Sequence, residues 1–172
     1  MRLRWSGLLL SIAMVLNAET AAGVKWTAPA GWNTESGARP MRVATYTISG
    51  AGDKEGAECA VYFFGEGQGG GIDANLERWK NQFHSPGGKV AEAKIGKRTI
   101  HGLLVTTIDV AGEYSGMGGP MSSDKTVKAD YRLLGAIVEG PGGNVFFKFT
   151  GPGRSIAQNQ GKFELLLGSV RN

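Results

Sequence analysis

Alternation of apolar and polar positions marks most of the chain as strand, and two stretches of wider spacing mark helix. Met41–Ser49 alternates, with Met41, Val43, Thr45 and Thr47 on one face and Ala44, Tyr46 and Ile48 on the other. Ala57–Phe64 is apolar on both faces, as expected of a strand paired on both sides. Lys89–Ile95 and Thr99–Val110 read as further strands. Tyr131–Glu139 and Asn144–Thr150 are two apolar strands joined by Gly140-Pro141-Gly142-Gly143, a hairpin signature. Ile72, Leu76, Trp79 and Phe83 recur at helical spacing, with Asp73 the expected N-cap and Ser85-Pro86-Gly87-Gly88 the stop. Ile156, Phe163, Leu166, Leu167 and Val170 form a second helical stripe, with Ser155 at its start. Hairpin connections predict a mostly antiparallel sheet. Both helices need an apolar surface to cover, and the sheet supplies it. The expected class is α+β: about six strands packed with two amphipathic helices.

The first residues follow another pattern. Arg2 and Arg4 precede an apolar run, Gly7–Leu16, and small residues follow at Ala18, Ala21, Ala22 and Gly23. This is the layout of a secretory leader. The run is too short to cross a bilayer, which takes roughly 20 residues. A cut after Ala22 is expected, within a window from 18 to 23. Residues 1–22 then form the leader, and 23–172 a single domain large enough for its own core. The expected location is the periplasm or the medium, with no membrane span after cleavage.

Composition narrows the chemistry. There are 19 basic and 15 acidic residues, a net charge of +4. The basic residues are scattered, so a nucleic-acid partner is not expected. Cys59 is the only cysteine, which excludes an internal disulfide framework and a cysteine-rich zinc site. It shares a strand face with Val61 and Phe63, as a small core residue does. His84 and His101 stand alone, without a His-Glu-x-x-His spacing, and no metal or cofactor is expected. Gly65-Glu66-Gly67-Gln68-Gly69-Gly70 fits G-x-G-x-x-G formally. A dinucleotide site would need a parallel βαβ unit, so a flexible turn is the better reading. No Gly-x-Ser-x-Gly elbow is present.

Gly112–Asp130, rich in glycine, serine and methionine, reads as a long loop and as the expected interaction surface. Glu113 and Tyr114 lie at its start, Arg132 just past its end. Lys148, between Phe147 and Phe149 on a strand, projects to the face opposite theirs. It could meet an acidic ligand, or pair with Glu139 or Asp109 across the sheet. Glu113, Tyr114, Arg132 and Lys148 are the candidate binding residues.

Three segments carry a resemblance: Trp26-Thr27-Ala28-Pro29-Ala30-Gly31-Trp32, Asn75-Leu76-Glu77-Arg78-Trp79, and Phe146-Phe147-Lys148-Phe149-Thr150-Gly151-Pro152. Together they resemble the PsbP-like fold, named for an extrinsic subunit of the photosynthetic oxygen-evolving complex, and a group of exported bacterial proteins without assigned activity. The resemblance implies an architecture and tilts function towards binding, because PsbP-like proteins include assembly factors and binding subunits. It supplies no catalytic signature. The expected function is a non-catalytic binding or accessory domain that engages a protein or small ligand. The alternative is a hydrolase with an acid-based site near residues 112–130.

Overall fold

The computed structural model describes residues 18–37, 39–50, 55–116 and 127–172. Ten strands and two helices are present among them. In chain order they are β1 (Ala18–Ala21), β2 (Val24–Thr27), β3 (Asn33–Thr34), β4 (Arg42–Ile48), β5 (Ala57–Tyr62), α1 (Ile72–Lys80), β6 (Phe83–His84), β7 (Ala93–Ile100), β8 (Leu103–Tyr114), β9 (Lys128–Gly140), β10 (Gly143–Pro152) and α2 (Gly153–Gly168). The main sheet has eight strands in the order β3-β4-β5-β10-β9-β8-β6, with β7 paired to β8. Every pairing is antiparallel. The class is α+β, as the alternation predicts, with more strands than the six expected.

The two helices cover opposite faces. Val145, Phe147 and Phe149 of β10 turn to the α2 side, where Ile156, Phe163, Leu166 and Leu167 seal the larger core with Trp26 and Tyr46. Phe146 turns the other way, to a smaller core with Leu76 and Trp79 of α1. Gly135 on β9 makes that contact possible: a Cβ there would stand 2.5 Å from the Trp79 ring. The α1 helix is short, and towards β4 and β5 this face carries buried polar side chains, among them Thr45 and Lys148.

Several boundaries move for physical reasons. The α1 helix ends at Lys80, and Phe83 is buried from the short strand β6 instead. Gly71 occupies the N-cap position without a side-chain cap, and Asp73 sits in the first turn. The α2 helix begins at Gly153 behind Pro152, so Ser155 lies inside it. The predicted strands Lys89–Ile95 and Thr99–Val110 fall on the hairpin β7–β8 with shifted bounds: β7 runs from Ala93 to Ile100, and the second predicted strand contains the turn. His101 and Gly102 turn the hairpin with φ of 45° and 82°, as a two-residue hairpin turn requires. Gly112–Asp130 is not one loop: β8 runs to Tyr114 and β9 starts at Lys128, while 117–126 lie outside the described residues. Within the G-x-G-x-x-G stretch, Gly65, Gly67, Gly69 and Gly70 all have positive φ, and the stretch leads from β5 to α1 as a turn.

β1 pairs with β2 as a separate hairpin, Glu19 opposite Trp26 and Ala21 opposite Val24, turned at Ala22 and Gly23. A cut after Ala22 would fall in that turn and leave the eight-stranded sheet's pairings intact. A chain starting at Gly23 is expected to unfold at lower denaturant than one starting at Ala18. The difference should be roughly 1–2 kcal/mol, a few tenths per lost cross-strand pair. Equal midpoints would show that β1 adds nothing to stability.

Candidate functional site

Lys148 is the centre of the polar corner on the α1 side. Strand alternation sends Phe147 and Phe149 into the α2 core and Lys148 to the other face, with Thr150 two residues further along. Lys148 is only 6% exposed. Its Nζ donates to Gln82 Oε1 at 2.8 Å and lies 5.7 Å from the centre of the Tyr114 ring. No carboxylate among the described residues forms an ion pair with it. An ammonium carries three donors and normally needs a charged or multiple acceptor when buried. Burial is the main reason its pKa falls from the ordinary lysine value to about 8; the Arg42 guanidinium adds to the fall and Glu58 opposes it. Thr150 Oγ1 is also buried, and has no hydrogen-bond partner among the described residues.

The other charges described around this corner are matched. Arg42 binds Glu58 at 2.9 Å and lies over the Tyr62 ring at 5.3 Å. Arg39 pairs with Glu35 at 2.6 Å. Lys128 pairs with Glu55 and donates to the Tyr131 hydroxyl at 3.3 Å. The Tyr114 and Tyr131 rings stack with centroids 5.4 Å apart. Burial raises the phenol pKa of Tyr62 and Tyr114, so both remain neutral donors at physiological pH. A separate cleft of about 460 Å³ beside β4 is lined by Glu19, Thr34, Glu35, Arg42 and Thr45 among others, and by none of Lys148, Gln82 or Tyr114.

Of the four residues predicted from sequence, the structure brings two together. Tyr114 and Lys148 meet. Arg132 lies on the α2 side, where its Nε and Nη2 bind both oxygens of Asp109 at 2.8 and 2.7 Å. Glu113 stands opposite His84 in the β6–β8 pairing. Arg132 is therefore a structural partner of Asp109, and Asp109 is not the partner of Lys148. Sequence reasoning missed Gln82, Arg42, Glu58 and Thr150. Thr150 was legible as the next residue on the lysine's face. Gln82 follows the helix and reaches Lys148 across 66 residues, a contact that no local spacing reveals.

The remaining candidate chemistry is sealed or dispersed. Cys59 is fully buried, and burial pushes its thiol far above the ordinary range, away from the reactive thiolate. His101 Nδ1 is held at 2.8 Å from the Val170 carbonyl, while His84 is in β6. No group of three metal-ligating side chains occurs among the described residues.

No family model and no curated protein matches the chain. Solved structures do. The solution structure of cyanobacterial PsbP (CyanoP) from Synechocystis sp. PCC 6803 matches 96% of this chain and 97% of its own, at 12% identity and a TM-score of 0.53. The fold is PsbP-like. A crystal structure of PA94, a protein of unknown function from Pseudomonas aeruginosa, matches 91% of this chain and 96% of its own, also at 12% identity and 0.53. Identity this low carries the PsbP-like architecture and no site residue. Among the described residues, this PsbP-like domain has no helix long and apolar enough to cross a membrane.

Proposed function

We propose that the chain is an exported, non-catalytic binding domain of the periplasm or medium, and that its ligand or partner is met at the Lys148 corner. The observation that carries the reading is a buried ammonium whose one hydrogen-bond acceptor among the described residues is a neutral amide. A side chain that costly to bury is kept where it recognises something or where a partner completes it. The charged leader, apolar run and small residues at 18–23 support export. Non-catalytic use is supported by Cys59 being sealed, by Arg132 and Asp109 being paired, and by the two histidines being held apart in structural roles.

The test is native purification of the exported protein from the cell envelope, beside Lys148→Met, with bound molecules identified by mass spectrometry. The wild type should arrive in the periplasmic or medium fraction without its leader. It should also carry a small molecule or companion protein that the variant lacks. Identical companions would refute the Lys148 corner as the contact. Turnover of a generic ester, phosphate or glycoside substrate, abolished by one acid-to-amide change, would refute the non-catalytic reading.

A further inference from the structure

We infer that the Lys148 corner is a receptor for a small monocarboxylate. The carboxylate replaces the Gln82 amide as the acceptor for Lys148. The inference rests on the binding-domain reading and names its ligand class.

Gln82 is suited to be displaced. Its backbone is fixed, because its N–H donates to the Trp79 carbonyl and its own carbonyl accepts from the Ser115 N–H at 3.0 Å. Among the described residues its side chain makes one hydrogen bond, to Lys148, so exchanging that acceptor leaves the backbone in place. A carboxylate oxygen is the stronger acceptor, since charge-assisted hydrogen bonds are roughly twice as strong as neutral ones. The Thr150 hydroxyl, buried on the same face and without a partner among the described residues, is a second donor for the incoming group.

Charge balance selects a monoanion. Arg42 is neutralised by Glu58, and Lys128 by Glu55, so among the described residues the corner holds one unmatched positive charge, Lys148. A dianion such as phosphate would exceed it, with Glu58 close by. Tyr62, Tyr114 and Tyr131 form the aromatic wall of the corner, their ring faces already taken by Phe64 and Phe83, by each other, and by Arg42, Lys128 and Lys148.

The test uses sodium benzoate, with benzamide as the neutral isostere and inorganic phosphate as the alternative anion. Benzoate at about five dissociation constants should raise the melting midpoint of the wild type by roughly 2–4 °C. Benzamide and phosphate should not. Lys148→Met should fold and show no response. Gln82→Glu should place a carboxylate on the lysine permanently; it should melt higher than wild type and no longer respond to benzoate. Wild type indifferent to benzoate would overturn the inference, as would an equal response to phosphate, or a benzoate shift that survives in both variants. If benzoate fails while a co-purified companion still depends on Lys148, only the ligand class falls. If both fail, the binding reading falls with it.

Discussion

Lys148→Met should make the protein more stable, by about 2 kcal/mol near neutral pH. The lysine's pKa is about 8 in the folded chain against 10.5 for the free side chain. Such a depression means that the folded state tolerates the charge poorly, at a cost of about 3 kcal/mol below both values. Methionine fills a similar length without charge, and swaps of this kind into buried sites are often stabilising. Gln82 loses its partner and gives back about 1 kcal/mol. The sign with pH follows. Between about 8 and 10.5 the unfolded chain binds more protons than the folded one, so the lysine's penalty fades and wild-type stability rises relative to the variant. Cys59 and the buried tyrosines act oppositely. Their raised pKa values keep them protonated when folded, so their contribution is lost as pH climbs through 9 to 10 and beyond. The difference between the two proteins isolates the lysine. Urea curves at pH 7 and pH 10 should show the variant ahead at the first and nearly level at the second. A variant less stable at pH 7 would contradict the account.

Gly135→Val should cost about 3 kcal/mol by forcing α1 off the sheet. A Cβ at this position would lie 2.5 and 2.7 Å from two Trp79 ring atoms and 2.8 Å from Ile108 Cγ2. Both neighbours are almost fully buried, so neither can retreat cheaply. Trp79→Ala alone should cost a similar 3–5 kcal/mol. The double variant should cost clearly less than the sum, because the alanine opens the space that the valine needs. Additive losses would show that the glycine serves something other than this contact. The same change should spare the α2 core, so near-ultraviolet circular dichroism from Trp26 and Trp32 should persist in the folded fraction.

Much of the architecture was readable in the chain because it is written in periodicity. Alternation located β4, β5, β9 and β10, and the wider spacing located both helices. What local pattern could not supply was the extent of hairpins. The turn at His101-Gly102 contains one non-glycine residue at positive φ, and Gly112 to Tyr114 continues as strand through a bulge despite its polar composition. Phe83 fits the helical stripe by spacing, yet is buried from a strand because the helix ends at Lys80.

The site was legible only in part, for a different reason. Strand parity placed Lys148 opposite its phenylalanine neighbours, and that placement holds. Its surroundings come from β4, β5, β8 and the segment after α1, which only the folded sheet assembles. Arg132 looked available because its partner Asp109 lies 23 residues away on the neighbouring strand.

Carbon-13 labelling of the lysine ε-methylene groups, followed by an NMR pH titration, tests the central claim most directly. Lys148 should titrate near 8, well below the 10.5 of the free side chain. In Gln82→Glu the same resonance should move upward, as a carboxylate holds the proton. A Lys148 resonance that titrates near 10.5, the value of the free side chain, would mean that the ammonium is freely hydrated, and that nothing at this corner waits for a ligand.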